Sequence, residues 1–227
     1  MTDKPKKPTY IYDLTAPVII AHPTLITPRP FQENGKPKGD PVYSGDLVFP
    51  ADSQELIALK ELAKKAVRES CPGQKLSNFI FPFKDGTLLA DARKAKCEAA
   101  DKKPDGEYQR GQVVLKTKSK FPPGLAGIEN GKIVDYDTEE KKVKAADKFF
   151  FGAEVLATVA FVAYAPIGEN KGYVSAYLNA VFTTGKGTKL AGQAPSTAAR
   201  FKGYVGSVSQ DDPTKGLDND LDDEIPF

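Results

Sequence analysis

The chain has 227 residues, enough for one large domain or two small ones with an ample core. Hydrophobic residues make up an ordinary 40%, and the longest apolar stretch, residues 155–167, is too short to span a bilayer. The 32 basic and 30 acidic side chains leave a formal charge of +2, which by itself indicates no class of partner. We expect a soluble protein that acts without a membrane.

The first nine residues are polar, basic and interrupted by proline, and we expect residues 1–9 to form a flexible basic arm. A folded domain is predicted for residues 10–206, and a disordered acidic tail for residues 207–227. Alternation between apolar and polar side chains predicts five strands in the domain. The predicted strands are residues 18–25, 41–49, 112–120, 149–165 and 173–182.

One helix is predicted, between the second and third strands. Residues 52–68 place Leu56 and Leu59 at helical spacing, with Asp52 and Glu55 as a capping box. The first two strands are expected to form a hairpin with a long, proline-rich loop. We predict a mainly β protein with an OB-fold-type five-stranded barrel, one helix and long loop insertions. No regular structure is predicted for residues 74–111 and 121–134, and residues 137–148 are a highly charged segment of uncertain order.

The third predicted strand carries a row of like charges. Lys116, Lys118 and Lys120 share one face at the two-residue period, opposite Leu115. Their separation of about 7 Å matches the spacing of phosphates along an extended single strand of nucleic acid. An ordinary solvated face is the alternative, but three neighbouring ammonium groups repel one another. The row therefore favours DNA binding.

The last predicted strand separates two tyrosines from its apolar residues. Tyr173 and Tyr177 are expected on the outer face, where rings can stack on bases. Tyr43 and Phe151 are further candidates of the same kind. Tyrosine also suits strands for packing reasons alone, so both interpretations stay open. The residues predicted to face the core are Val174, Ala176, Leu178, Ala180 and Phe182.

Signals for catalysis and metal binding are poor. His22 is the only histidine and lies in an apolar strand, where a structural role is the simpler interpretation. With two distant cysteines, the chain offers no recognised nucleophile–base pair and no zinc-site spacing. We expect a protein that is not an enzyme and that uses no metal and no cofactor.

Charge is distributed unevenly along the chain. Residues 211–227 hold seven acids and one base, a local charge of −6, which leaves +8 on residues 1–210. A basic body tethered to an acidic tail suits a protein that binds polyanions and carries an internal competitor. The acids at the end of the tail precede an apolar tip that could enter a basic-rimmed pocket on a partner protein. These predicted partner-binding residues are Asp222, Asp223, Glu224, Ile225, Pro226 and Phe227.

This ending resembles the tail tip of bacterial single-stranded DNA-binding proteins. The order of the preceding segments resembles phage-encoded single-stranded DNA-binding proteins of the OB-fold class, over residues 17–205. The FPFKDG stretch of this resemblance adds Lys84 to the candidate DNA-binding residues. Long insertions at residues 71–111 and 122–148 set the chain apart from housekeeping bacterial proteins. The matching stretches are AHPTL at 21–25, YSG at 43–45, FPFKDG at 81–86, FFG at 150–152 and GYVSAYLN at 172–179.

The resemblance implies a sequence-independent single-stranded DNA-binding protein that coats and protects single strands during phage replication or recombination. It would act in the cytoplasm of an infected bacterial host, as a monomer or weak homodimer. It would recruit replication or recombination proteins through its acidic tip. The alternatives are an OB-fold adaptor that binds protein, a single-strand annealing protein and, less well supported, a nuclease.

Overall fold

Strands and helices account for most of the residues that the computed structural model describes, which are 10–33, 36–101 and 106–190. The predicted arm, the acidic tail and the predicted domain boundary at residue 206 lie outside these ranges. The helices are α1 (Gln54–Ser70), α2 (Gly86–Ala99) and α3 (Glu139–Lys144). The strands are β1 (Tyr10–Asp13), β2 (Val18–Glu33), β3 (Lys36–Pro50), β4 (Phe79–Ile80), β5 (Phe83–Asp85), β6 (Gln112–Ser119), β7 (Gly124–Glu129), β8 (Lys132–Asp135), β9 (Ala153–Tyr164) and β10 (Gly172–Gly187).

Five of these strands close a barrel. Around the barrel their order is β9, β2, β3, β6 and β10, and β10 pairs with β9 to complete the ring. Neighbouring strands are antiparallel except β6 and β10, which run parallel where Thr117 pairs with Ala176. The predicted mainly β fold with an OB-type five-stranded barrel is therefore confirmed. The described residues contain three helices, however, where the sequence predicted one.

Alternate residues of the barrel strands fill its interior. Phe49, Leu115 and Phe161 are fully buried there, and α1 packs Leu56 and Leu59 against the same core. The helix begins and ends two residues later than predicted, because its cap is the side chain of Ser53, which accepts a hydrogen bond from the N–H of Leu56. Of the helices in the described ranges, none is long and apolar enough to cross a membrane.

The hairpin of β2 and β3 is built differently from the prediction. β2 continues through Pro28 and Pro30, and β3 begins three residues after β2 ends, so strands replace most of the predicted loop. This part of the hairpin lies beyond the barrel as a two-stranded ribbon, where a proline on the unpaired edge forfeits no hydrogen bond. Register shifts between Ala21 and Thr24 and around Arg29 accommodate the irregular backbone.

The two connections predicted to lack regular structure, and the charged segment of uncertain order, all contain regular elements. The first holds β4, β5 and α2, and Asp85 caps the start of α2, since its carboxylate accepts hydrogen bonds from the N–H groups of Thr87 and Leu88. The second holds the β7–β8 hairpin and the third holds α3. Helix α2 buries only Gly86 and Ala90, so its sequence shows little of the apolar periodicity that predicts a helix.

A buried carboxylate ties α1 to the connection between β1 and β2. Oε1 of Glu55 accepts hydrogen bonds from the N–H groups of Thr15 at 3.0 Å and Ala16 at 3.1 Å, and from the hydroxyl of Thr15. Burial acts to raise the pKa of this carboxyl, but the hydrogen bonds outweigh it and hold the pKa of Glu55 below its ordinary value of 4.5. Glu55 therefore stabilises the fold as a carboxylate, and it is not free to complete the predicted capping box.

We predict that Glu55→Gln lowers the free energy of unfolding by about 2 kcal/mol at neutral pH, because charge-assisted hydrogen bonds are lost. Because folding lowers the pKa of Glu55, the stability that its charge provides is fully present above pH 4.5. This stability is lost as the pH falls through the folded-state pKa. Denaturant titrations of both proteins across this range should therefore show the gap narrowing in acid. A gap of constant size would show that the charge of Glu55 is irrelevant. Glu98→Gln, at an exposed position of α2, is the control and should change little.

Candidate nucleic-acid interface

The predicted lysines and two of the three predicted tyrosines, Tyr173 and Tyr177, lie on the outer face of the barrel. Residues that pair across neighbouring strands lie side by side on the same face of the sheet. Such pairs form two rows of side chains, each running from β6 across β3 to β2. On β10, Ala176 pairs with Thr117 toward the interior, so its neighbours Ser175 and Tyr177 lie on the outer side, next to the lysines. The first row is Ala21, Asp46 and Lys116, and the second is Thr24, Ser44 and Lys118.

The three lysines are exposed, as predicted, but they differ in their partners. Lys116 forms an ion pair with Asp46 at 2.5 Å, and Lys120 forms one with Asp40 at 2.7 Å. Lys118 forms no ion pair with any residue in the described ranges. The Lys120–Asp40 hydrogen bond raises the pKa of Lys120 and lowers the pKa of Asp40. Because both partners are exposed, this pair is weak, and a phosphate can replace the carboxylate at little cost.

Three tyrosines form a connected cluster on the same face. The ring of Tyr164 stacks on that of Tyr173, with centroids 4.6 Å apart and planes 14° from parallel. The hydroxyls of Tyr164 and Tyr177 are hydrogen-bonded at 2.9 Å. This bond, together with burial, raises the pKa of Tyr164 to about 12. Each ring is held by another, so their orientation is fixed before any ligand arrives.

A cleft of 370 Å³ brings charges and rings together. Lys84, Lys116 and Lys118 line it with one carboxylate, Asp46, and the exposed ring of Tyr173 forms part of its wall. Four of the eight predicted DNA-binding residues therefore share one cleft. Its three lysines and single aspartate make it locally positive, which suits an anionic ligand.

A second cleft, of 310 Å³, continues along β10. Phe121, Val162, Tyr177 and Asn179 line it, and Phe121 is 79% exposed. Tyr173 lies in the first cleft and Tyr177 in the second, on the same outer face of one strand. The two clefts thus form one surface, called the barrel groove below, with lysines at one end and apolar rings at the other.

Sequence reasoning missed several groups of the barrel groove. Phe121 follows the lysine row directly and precedes Pro122, and an aromatic residue between a strand and a proline is a signal that could have been noticed. Tyr164 ends an apolar run of residues on β9, so the sequence alone does not indicate that its side chain faces outward. Ile80 is 52% exposed and pairs with Tyr173 through the two-residue strand β4, for which no sequence pattern exists.

The other predicted residues lie away from the barrel groove. Tyr43 pairs with Ser119, on the face of β3 opposite to Ser44 and Lys118. Phe151 stacks on His22, 4.5 Å between ring centroids, and contacts Tyr108 edge-on at 5.1 Å. The predicted partner-binding residues 222–227 lie outside the described ranges.

Part of the alternation predicted for β10 is wrong. A bulge at Asn179 shifts the register against β9 between Leu178 and Ala180. An extra residue reverses the faces beyond it, so Val181 is buried, while Ala180 and Phe182 are only partly so. The bulge also leaves Asn179 exposed at the second cleft. The residues before the bulge are buried as predicted: Val174, Ala176 and Leu178.

A larger cleft, of 520 Å³, is unsuited to an anion. Apolar residues of β7, β9 and β10 line it, and its polar groups include Asp13, Asp135 and Asp137 against Lys142. Acids therefore outnumber bases there, in contrast to the barrel groove. Within the described ranges, no three His, Cys, Asp or Glu side chains are grouped to hold a metal ion.

The barrel and its basic, aromatic outer face define an OB-type protein of the nucleic-acid-binding kind. Residues 14–213 match the family described as "Enterobacter phage Enc34, ssDNA-binding protein", and the chain belongs to this family. The predicted relationship to phage-encoded single-stranded DNA-binding proteins is therefore confirmed. No match is found among curated proteins.

Solved structures of similar fold come from bacteriophages. The single-stranded DNA-binding protein from bacteriophage Enc34 in complex with ssDNA has a TM-score of 0.56 and 18% identity, covering 83% of this chain and 96% of that one. A second structure of the single-stranded DNA-binding protein from bacteriophage Enc34 has a TM-score of 0.54 and 17% identity, covering 86% of this chain and 94% of that one. The single-stranded DNA-binding protein gp2.5 of bacteriophage T7 has a TM-score of 0.44 and 13% identity, covering 90% and 98%.

We predict that Tyr177→Phe lowers the pKa of Tyr164 from about 12 toward its ordinary value of 10.0, because the hydroxyl partner is removed. Titrating the tyrosinate absorbance at high pH measures this. The step near 12 should move down in the variant and persist in Tyr43→Phe, which removes a tyrosine from outside the cluster. A late step that survives in Tyr177→Phe would contradict the observed hydrogen bond.

Proposed function

We propose that this protein binds single-stranded DNA, without preference for base sequence, along the barrel groove. The observation that carries the proposal is the grouping of three lysines with exposed aromatic rings along the outer face of β10. Membership of a family described by its ssDNA-binding protein supports the choice of ligand.

The lysines supply the attraction for phosphate. Lys84 and Lys118 have no ion-pair partner within the described ranges, and Lys116 is held by Asp46 alone. Ammonium groups on strand surfaces act as point charges, so they contact phosphates without reading bases. Lys120 lies in the same row, and its exposed pair with Asp40 opens readily.

The rings explain why a single strand is favoured over a duplex. Tyr173, Tyr177 and Phe121 present apolar faces that can stack only on bases that are not already stacked within a helix. Every base has such a face, so stacking tolerates any sequence. Each stacked base contributes about 1–3 kcal/mol by alanine substitution in comparable proteins.

We place this activity in phage DNA metabolism. The protein coats and protects single strands during replication or recombination, and it does so as a binding protein without catalysis, cofactor or metal. Binding along a groove by phosphates and stacked bases requires no chemical step. Charge neutralisation can also promote pairing of complementary strands, so annealing is the activity to assay beside it.

Salt-dependent binding tests the proposal. If about four phosphates are neutralised, affinity for an oligothymidylate should fall about fifty-fold between roughly 50 and 200 mM salt. Lys118→Ala should reduce the slope of log affinity against log salt concentration by the amount that one neutralised phosphate contributes. Asp46→Asn should strengthen binding, because it releases Lys116 from its ion pair. Fluorescence anisotropy measures both.

The matched control is Lys132→Ala, which removes the same charge from β8, outside the barrel groove. It should leave the slope nearly unchanged. Affinity that is insensitive to salt, or equal effects of Lys118→Ala and Lys132→Ala, would contradict the proposed interface. A protein with no affinity for single strands would favour the adaptor function instead.

The acidic end of the chain has two proposed roles. The seven acids of residues 211–227 compete with DNA for the +8 body at a high effective concentration. The Ile225-Pro226-Phe227 tip, with Asp222, Asp223 and Glu224 before it, recruits a replication or recombination protein that offers a basic-rimmed apolar pocket. The sequence alone supports these roles.

Two truncations should separate these roles. Removing residues 211–227 raises the charge from +2 to +8, and it should strengthen DNA binding, most at low salt and for weak ligands such as duplex DNA. Removing residues 225–227 keeps all seven acids, so DNA affinity should hold while capture of the partner protein is lost. Unchanged DNA affinity at low salt after the longer truncation would refute self-competition and leave only recruitment.

A further inference from the structure

A second group of aromatic and basic side chains lies on the same outer face, outside the barrel groove. The ring of His22 stacks on Phe151 with an interplanar angle of 28°, and its Nε2 lies 3.2 Å from the hydroxyl of Tyr108. Nη1 of Arg93, from α2, lies 3.5 Å from the same nitrogen. These four residues are called the His22 cluster. Strand β2, helix α2 and the two connections that hold Tyr108 and Phe151 contribute to it, and none of the four residues lines the barrel groove.

The strand register places the His22 cluster in line with the lysines. His22 follows Ala21, which pairs with Asp46, which in turn pairs with Lys116. Crossing from β10 to β2 over β6 and β3 takes three strand spacings, about 14 Å. A strand of DNA that leaves Tyr173 and crosses the lysines therefore reaches the His22 cluster next. Sites of about 4 to 16 nucleotides per OB fold are long enough for this path.

The backbone presents the His22 ring to solvent. His22 has a φ of +48°, in the left-handed region that residues other than glycine adopt only with strain. It lies in the register shift between Ala21 and Thr24, where the ladder of β2 and β3 is interrupted. The side chain is exposed, although Phe151 and Tyr108 hold it in place. A ring that is fixed and exposed stacks on a ligand with little further loss of entropy.

The neighbouring row marks where this exposed region begins. Ala21, Val48 and Val114 are buried on the outer face, and Leu89 of α2, Tyr108 and Phe151 pack against them. In the row of Ala21, Asp46 and Lys116, Ala21 is fully buried, whereas Asp46 and Lys116 line the open cleft. Arg93 extends from α2 at this boundary. Tyr108 and Phe151 therefore rest on this buried patch, and the exposed ring of His22 stacks on Phe151.

We propose that the His22 cluster is a second nucleotide-binding subsite, in which an unstacked base lies on His22 and Arg93 contacts the adjoining phosphate. This inference rests on the proposed binding of single-stranded DNA and extends its path across β3 to β2. It also gives Phe151 a role, as the ring that supports His22 from behind.

Oligothymidylates of two lengths test the subsite, one of about 4 nucleotides that fills the barrel groove alone and one of about 12 that also reaches β2. His22→Gly is the main variant, because glycine accepts a positive φ and removes only the ring. It should weaken binding of the long oligonucleotide about tenfold and leave the short one unchanged. Arg93→Gln should weaken long-strand binding and flatten its salt slope.

Leu59→Ala is the control for lost stability, since it removes core packing from α1, which contributes no residue to the His22 cluster. It should lower the melting temperature and keep long-strand affinity. Equal affinity of His22→Gly and the wild type for the long oligonucleotide would overturn the subsite, as would equal losses at both lengths or an equal loss in Leu59→Ala. Failure of the wild type to bind either length would instead overturn the proposed function itself.

Discussion

Closure of the barrel by the pairing of β9 with β10 is the constraint on which the rest of the structure depends. These two strands pair along most of their length, and each also pairs with a further barrel strand, β2 or β6. Once the ring is closed, one face of every strand must fill the interior. Alternate residues such as Val159, Phe161 and Val174 fill that interior. The residues between them therefore face outward, because successive side chains of a strand point to opposite faces.

The functional surface follows from this alternation. Lys116 and Lys118 alternate with the buried Thr117, and Tyr173 precedes the buried Val174. The barrel interior therefore orients the lysines and rings, and no separate device is needed to hold them. Two carboxylates moderate the positive charge, and one of them, Asp46, lies within the barrel groove itself. Lys116 is paired with Asp46 in the structure.

The sequence predicted the barrel because strand alternation is a local signal. The lysine row and the two outward tyrosines were correctly placed for the same reason, since a strand that buries Leu115 must expose Lys116 and Lys118. Prediction failed where the cause is not local. The bulge at Asn179 depends on how β10 meets β9, so nothing in the sequence of β10 alone shows that Val181 replaces Ala180 in the interior.

Long-range packing also decided the other differences. Helix α2 has too few apolar residues to be recognised, yet it forms because it covers Val48 and Val114. Strand β4 has two residues and exists only as a partner of β10, so Ile80 could not be assigned to the barrel groove beforehand. Phe121 was within reach, because it is an aromatic residue that directly follows Lys120. A search for rings near the lysine row would have found Phe121.

The central claim is that one outer face of the barrel binds the single strand. Ultraviolet crosslinking of an oligothymidylate to the whole chain, followed by mass spectrometry of the linked peptides, tests it most directly. We expect crosslinks at Tyr173, Tyr177 and Phe121. Crosslinks concentrated instead around the acidic cleft, at Tyr136 or Phe182, would contradict it and place the strand on a different side of β10.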